Sequence, residues 1–366
     1  MYNYNIFINF VVAMGFARIL GDAMKKKKIY ISIILICITV FIIWLIVDRR
    51  YPTIKLKEEP KGIYTYLYDE RLTVLYDDSI VIYDEYGNAT EYIVDSDVVI
   101  ADMYPVGDFA WVIDESKNLY KMSYLAEGKV QFSDIILVDI VDLAAEDDSF
   151  CAVTSDGELY VWGNNEKSSL GIKDMKYIDV PTKVDNMSDV EMVQINSGNT
   201  YVLKNDGKVY FSGQISVYNE IGEYYSKDVE EYVQVAELNN IMSIGGNYEI
   251  QAINNDNEVI SVLYIEYYDE TKEYKPKYYE EASRLCNEKK VTKFSSSSQF
   301  TVGVTNEGVA YLWGANFIEG MKGKADIEKI VYPKKIPRLN MVDDVYAAFG
   351  VVYAKKGLTI YIIGGN

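Results

Sequence analysis

One β-hairpin signal returns along most of this chain at a nearly fixed interval. That regularity limits the available folds more than any single motif does. The unit is plainest at residues 199–213, NTYVLKNDGKVYFSG: an apolar strand, a turn at Asp206-Gly207, and a second strand closing on glycine. Asp-Gly between two alternating runs marks a hairpin, because the turn needs a positive φ that glycine adopts without steric cost. Turns of this kind fall near Asp78, Lys117, Gly157, Gly207, Asn257, Gly308 and Gly357, at successive spacings of 39, 40, 50, 50, 51 and 49 residues. The strands after them read SIVIYD, NLYKMS, ELYVWG, KVYFSG, EVISVL, VAYLWG and TIYIIG. Repeats of this length pack mainly on their neighbours.

A second half accompanies the central units. Each first strand is preceded by an apolar stretch with small residues: VEMVQINSGN (190–199), IMSIGGN (241–247), VTKFSSSSQ (291–299) and VDDVYAAFG (342–350). Small residues let strands lie close to a crowded axis. Further upstream, VPTKV (180–184) and YPKKIP (332–337) place proline where an edge strand or a strand start tolerates it. Each unit therefore reads as four short strands. Four strands per unit and a period of about 40 to 50 residues predict an all-β fold, a seven-bladed β-propeller over residues 62–366. The strand near residues 62–68 is the candidate to complete the last blade, a closure that removes exposed sheet edges.

ELYVWGNNEKSSLG (158–171) resembles the regulator of chromosome condensation repeat. That repeat runs from a glycine-bearing hairpin through Trp-Gly and Asn to Leu-Gly, then a Pro-containing strand and a Val/Ile-Ala-Gly stretch. Asp156, Gly157, Trp162, Gly163, Asn165, Leu170, Gly171, Pro181 and Gly198 match this order. VAYLWGAN (309–316) repeats the core, and SGQ (212–214) keeps part of it. The resemblance covers about residues 145–366 well and 61–146 weakly, and it implies a seven-bladed propeller. No histidine follows the Ala-Gly stretch, and Leu-Gly is complete only once. These departures separate the implied fold from any specific family activity.

The net charge of −19 argues against nucleic acid as a partner, since phosphate binding needs a basic footprint. The chain has no histidine. It therefore lacks the commonest general base, the commonest zinc ligand, and every Ser-His-Asp or Cys-His scheme. No phosphate-binding glycine loop is present, so no cofactor is implied. Asp142, Glu146, Asp147 and Asp148 lack the spacing of a calcium loop and read as solvated charge, so no metal is implied either. Cys151 reads as a small core residue and Cys286 lies in an insertion; a disulfide between them stays open.

Residues 29–47, IYISIILICITVFIIWLIV, run for 19 residues without a charge. As a helix this spans about 28 Å, close to a bilayer's hydrocarbon thickness. Lys25 to Lys28 precede the run and Arg49-Arg50 follow it, which places the N-terminus inside. The run is long for a cleaved signal peptide, and no small-x-small site follows before Asp48. The expected order is a cytoplasmic N-terminus (1–28), a transmembrane signal anchor (29–47), a stalk (48–61) and an extracytoplasmic propeller. Met24, directly before four lysines, is the hypothesised true start. Richness in Lys, Ile, Tyr and Asn points to a bacterial, Gram-positive source.

Trp162 and Trp313 hold equivalent repeat positions, where blade packing is expected over ligand stacking. The units differ at residues 217–232, VYNEIGEYYSKDVEEY, and 264–281, YIEYYDETKEYKPKYYEE, at the same phase of consecutive repeats. Same-phase insertions emerge on one propeller face. Tyr218, Tyr224, Tyr225, Tyr267, Tyr268 and Tyr274 are therefore the candidate binding residues. They form a tyrosine-rich acidic surface suited to another protein, a peptide or a cell-wall glycan, with solvated loops as the plain alternative. Residues 277–290 place Tyr278, Ala282, Leu285 and Cys286 at helical spacing, predicting a short packed helix. The expected function is a membrane-anchored binding module rather than an enzyme. Inhibition of another enzyme is one variant of it, and nucleotide exchange fits poorly with an anchor and acidic charge. The second reading is a carbohydrate-active enzyme, which needs paired carboxylates converging on the central channel. No such pair stands at one phase in facing units.

Overall fold

The computed structural model describes residues 51–66, 69–196, 198–218, 224–246, 250–268, 271–297, 300–314 and 330–364. From Pro52 onward the chain clusters as one compact unit. The predicted span at 29–47 and the Met24 start lie outside the described residues. Among the described residues no helix is long and apolar enough to cross a membrane.

The fold is all-β and propeller-like. Consecutive strands pair antiparallel in groups of four. Ile140–Glu146, Ser149–Thr154, Leu159–Asn164 and Tyr177–Lys183 form one sheet; Val291–Ser296, Phe300–Thr305, Ala310–Gly314 and Ile330–Lys335 form another. Two eight-stranded sheets each join two such groups through a single parallel pair, Ile93 with Lys129 and Ser216 with Glu266.

Burial follows a strand's position in its group. The second strand Ser149–Thr154 is buried along almost its whole length, whereas the fourth strands Ala89–Ile93 and Tyr177–Lys183 are mostly exposed. A middle strand is covered on both faces by neighbouring groups, so it reads as a continuous apolar run. A rim strand keeps one side in water and tolerates Pro181. The small-residue stretches at 190 and 291 are first strands, Val190–Asn196 and Val291–Ser296, as their composition implies.

The turns obey one geometry. Gly157, Gly207 and Gly308 have φ of 80°, 77° and 72°. Their carbonyls accept hydrogen bonds from the N–H groups of Val190 and Ile241, which start the next group's first strand, and of Val342, two residues before Asp344–Ala348. The turn therefore closes its own hairpin and also ties it to the following group. Lys117 and Asn257 take the same place with φ of 64° and 60°, although neither is glycine.

The segment expected as a stalk, 48–61, contributes to the sheet. Thr53–Lys55 pairs with the last strand, Thr359–Gly364, in the register Thr53 to Tyr361. Gly62–Thr65, expected to complete the last group, instead pairs with Leu72–Leu75 and opens the next one. The closing strand thus lies about ten residues earlier than its sequence suggested. Residues 53–55 carry one apolar side chain, Ile54, which is 3% exposed; the rest of the pattern is polar.

The short helix is present as α1 (Glu280–Lys289), with Ala282 and Cys286 buried. It covers Trp313 together with Tyr279 and Val291. Cys151 and Cys286 are both buried thiols that are not joined to each other, so the disulfide left open by the sequence is absent. Burial pushes the Cys151 thiol up to about 12, which makes it a packing residue.

Candidate functional site

The two insertions are long β-hairpins. The first consists of Val209–Tyr218 and Tyr224–Gln234, the second of Val259–Tyr268 and Glu273–Tyr278. They belong to neighbouring groups and join edge to edge. Ser216 bridges Glu266 in parallel, and the Ala236 N–H donates to the Tyr274 carbonyl at 2.7 Å. Ile215, Val217, Val229 and Ile265 are buried in one cluster between and beneath them. Alternation along the strands turns these apolar residues inward, so the expected loops are sheet built on a core.

Of the six candidate tyrosines, three lie on each hairpin. Tyr218 pairs with Tyr224, and Val217 with Tyr225, near the first hairpin's tip. The side chains of Tyr218, Tyr224 and Tyr225 lie outside the described residues. On the second hairpin Tyr267 faces Tyr274, their ring centroids 5.0 Å apart and tilted by 49°. The Lys227 ammonium, from the first hairpin, sits 4.3 Å from the Tyr267 ring centroid. A cation against a tyrosine face contributes about 0.5–1 kcal/mol at an exposed site and ties the hairpins together. Tyr267 and Tyr274 are therefore half-buried parts of the joint. Tyr268 is 44% exposed and donates to the Glu266 carboxylate at 2.9 Å, which holds its hydroxyl pKa above the usual value. Tyr264, 38% exposed, adds a second outward ring that the sequence reading did not single out.

The repeat motif is structural. Trp162 packs edge-on against Trp111 of the preceding group, centroids 5.2 Å apart, and against Phe150. Gly163 has φ of 95°, and a Cβ there would collide with the Asp148 carbonyl oxygen of its own hairpin. Asn165 is buried: its amide donates to the Ile172 and Met175 carbonyls and its oxygen accepts from the Leu170 N–H. Leu170 is thereby sunk into the core, and Gly171 lies under the Tyr232 ring of the next group. Trp313 is fully buried and packs on Phe294.

Asp142 and Glu146, expected as solvated charge, prove to be staples between groups. Asp142 accepts from the Val193 N–H at 2.8 Å and Glu146 from the Gly198 N–H at 2.7 Å. Ser295 accepts from the Ala347 N–H in the same way. The repeat spacing carried the signal, since each partner lies about one period further along. Asp102 and Asp142 sit at equivalent, register-shifted places on neighbouring first strands. Asp102 accepts from the Met103 N–H and from the Tyr104 hydroxyl. Both carboxylates are thus committed to the scaffold. Among the described residues no group of three or more His, Cys, Asp or Glu is placed to hold a metal ion.

Residues 156–203, and 140–168 overlapping them, match the regulator of chromosome condensation (RCC1) repeat. The fold is similar to that of yeast RCC1 (Prp20), solved bound to Kap60, with a TM-score of 0.59 and 15% identity over 82% of this chain and 80% of that one. It is similar to human WBSCR16, with a TM-score of 0.57 and 14% identity over 86% and 88% of the two chains. Prp20p from Saccharomyces cerevisiae, described with its binding properties to Gsp1p and histones, gives 0.58 and 15% over 82% and 81%. At these identities the likeness is one of fold. The repeat pattern, the turn geometry and the four-stranded groups agree with this likeness: the chain carries RCC1 repeats at residues 140–203 in a fold similar to that of these propellers.

Proposed function

We propose that this chain is a seven-bladed propeller that binds another protein through its paired hairpins while residues 29–47 hold it in a membrane. Among the described residues the strand pairings are consistent with seven sets of four, with Thr53–Lys55 in the last, which supports the seven-bladed reading. Pairing of Thr53–Lys55 with Thr359–Gly364 supports one ring, because it joins the two ends of the repeat array in one group.

The observation that carries the binding reading is the edge-to-edge joint between the two hairpins. It makes one preorganised surface out of two repeats, with Tyr264 and Tyr268 directed outward beside Glu266. Exposed aromatic rings on a rigid support are the side chains that dominate protein interfaces. The RCC1-like structures solved with or described by protein partners lend the same direction. Pull-down from native extract with the full chain, wild type against Tyr264→Ser/Tyr268→Ser, tests it. Loss of a specific partner is expected, and undiminished recovery would refute the surface. A glycan array signal abolished by the same double substitution would replace the protein partner with a sugar. Carbonate extraction tests the anchor: the chain is expected in the membrane pellet, and its release refutes the anchor.

A further inference from the structure

The outer rim holds a cleft whose lining includes neither Tyr264 nor Tyr268. It has a volume of about 310 Å³ and runs between Tyr177–Lys183 with its following loop and the neighbouring rim strand Tyr224–Gln234. That is near the lower bound for ligand sites, about 300 Å³, and holds a few side chains. Its apolar surface comes from Ile172, Val184, Met187 and the Tyr232 ring. Tyr177 and Val180 in the rim strand, and Met175 just before it, are 53%, 64% and 49% exposed.

The charges choose the occupant. Lys173 and Lys183 both line the cleft, and both are already ion-paired, with Glu230 at 3.7 Å and with Glu158. Asp185 and Glu231 also line it, are exposed, and have no ion pair among the described residues. The cleft therefore offers an apolar floor with two uncompensated carboxylates at its rim. Pro181 supplies no N–H in the adjacent strand, so recognition rests on side chains more than on strand addition. We propose that this cleft takes an extended segment of a partner protein in which one large apolar side chain is flanked by lysine or arginine. The apolar side chain fills the floor while the flanking cations meet Asp185 and Glu231, a pairing that sets specificity and rate of encounter.

Fluorescence anisotropy with the full chain tests the proposal without reference to the hairpin surface. The probes are labelled heptapeptides centred on Lys-Leu-Lys, Glu-Leu-Glu and Lys-Ser-Lys. The Lys-Leu-Lys peptide is expected to bind at least about tenfold more tightly than either alternative, a difference of about 1.4 kcal/mol. Asp185→Lys/Glu231→Lys is expected to weaken it by about tenfold or more and to turn preference toward Glu-Leu-Glu. Asp256→Lys/Glu258→Lys, on a distant exposed turn, is expected to leave it within about twofold. Equal affinity for Lys-Leu-Lys and Lys-Ser-Lys would overturn the apolar pocket. Equal weakening by both double variants would reduce the effect to net charge and overturn the site. Tyr264→Ser/Tyr268→Ser leaves this cleft intact, so failure of one surface is distinguishable from failure of the other.

Discussion

Asp142 accepts a hydrogen bond of 2.8 Å from the backbone N–H of Val193, one repeat further along the chain. The carboxylate lies among packed side chains, and burial raises its pKa from 3.8 to about 6, with the nearby Asp102 charge adding to the rise. The folded form therefore holds this proton more tightly than the unfolded chain does. Its contribution to stability is fully present below about pH 4 and is lost as pH rises through about 6. A shift of about two pK units corresponds to at most about 3 kcal/mol. Asp142→Asn keeps an acceptor for Val193 and removes the charge. The variant is expected to be more stable than wild type by about 1–3 kcal/mol at pH 7.5 and nearly equal to it at pH 4.5, by chemical denaturation. A difference that stays constant across that range would contradict this account.

The turn geometry leads to a gain rather than a loss. Lys117 and Asn257 hold the left-handed place that glycine holds in Gly157, Gly207 and Gly308. A non-glycine residue there costs roughly 1 kcal/mol, less for asparagine, while the entropy glycine adds to the unfolded chain offsets part of the relief. Lys117→Gly is expected to raise stability by about 0.5–1 kcal/mol and Asn257→Gly by less. Thermal unfolding that ranks asparagine above lysine in benefit would show that side-chain contacts, not φ, decide these turns.

Gly163 allows no such exchange. Its φ of 95° disfavours any side chain, and the colliding atom is backbone, the Asp148 carbonyl oxygen, which also accepts from the Asn164 N–H at 2.7 Å. Gly163→Ala must shift that turn or break that bond. A loss of about 2–4 kcal/mol is expected, against about 1 kcal/mol for Gly107→Ala, whose φ of 63° is also left-handed but whose Cβ would meet nothing within 4 Å. Both variants are read by urea midpoint.

These cases also show what the chain discloses locally. The Asp206-Gly207 turn is legible because its cause lies within four residues: a positive φ and the glycine that permits it. Leu170 and Gly171 stand out as a motif, yet their reason is Tyr232, some sixty residues away, whose ring covers Gly171. Thr53–Lys55 was illegible for the same kind of reason. Its neighbours are proline and charge, one side chain is buried, and its identity as a strand depends on Thr359–Tyr361 at the far end of the chain. Asp142 and Glu146 looked like solvated charge because their acceptor roles are met by amides in the next repeat. The hairpin surface was half legible. Its phase and tyrosines were plain, but alternation alone did not say that Tyr267 and Tyr274 would turn toward each other and leave Tyr264 and Tyr268 outward.

Asn287 replaces a strand. The rim strand Glu273–Tyr278 reaches only as far as Val262, which pairs with Tyr278, so the start of Val259–Tyr268, paired with Ile250–Asn254 on its inner side, has no strand on its rim side. Helix α1 fills the gap. The Asn287 oxygen accepts from the Val259 N–H at 2.8 Å, and its amide donates to the Val259 carbonyl at 3.1 Å. One turn earlier, Ser283 accepts from the Ser261 N–H at 2.9 Å. A side-chain carboxamide presents the same donor and acceptor as a peptide group, which is why asparagine serves here. Asn287→Ala strands one backbone donor and one acceptor at a half-covered edge, each worth about 1–3 kcal/mol when left unpaired. The expected loss is about 2–4 kcal/mol, with Asn287→Asp intermediate because it keeps only the acceptor. Hydrogen exchange sharpens the test: the Val259 amide should lose protection in the alanine variant while the Val302 amide, in the next group, keeps it. Unchanged protection at Val259 would show that water or the strand itself satisfies that edge, and that the helix merely covers it.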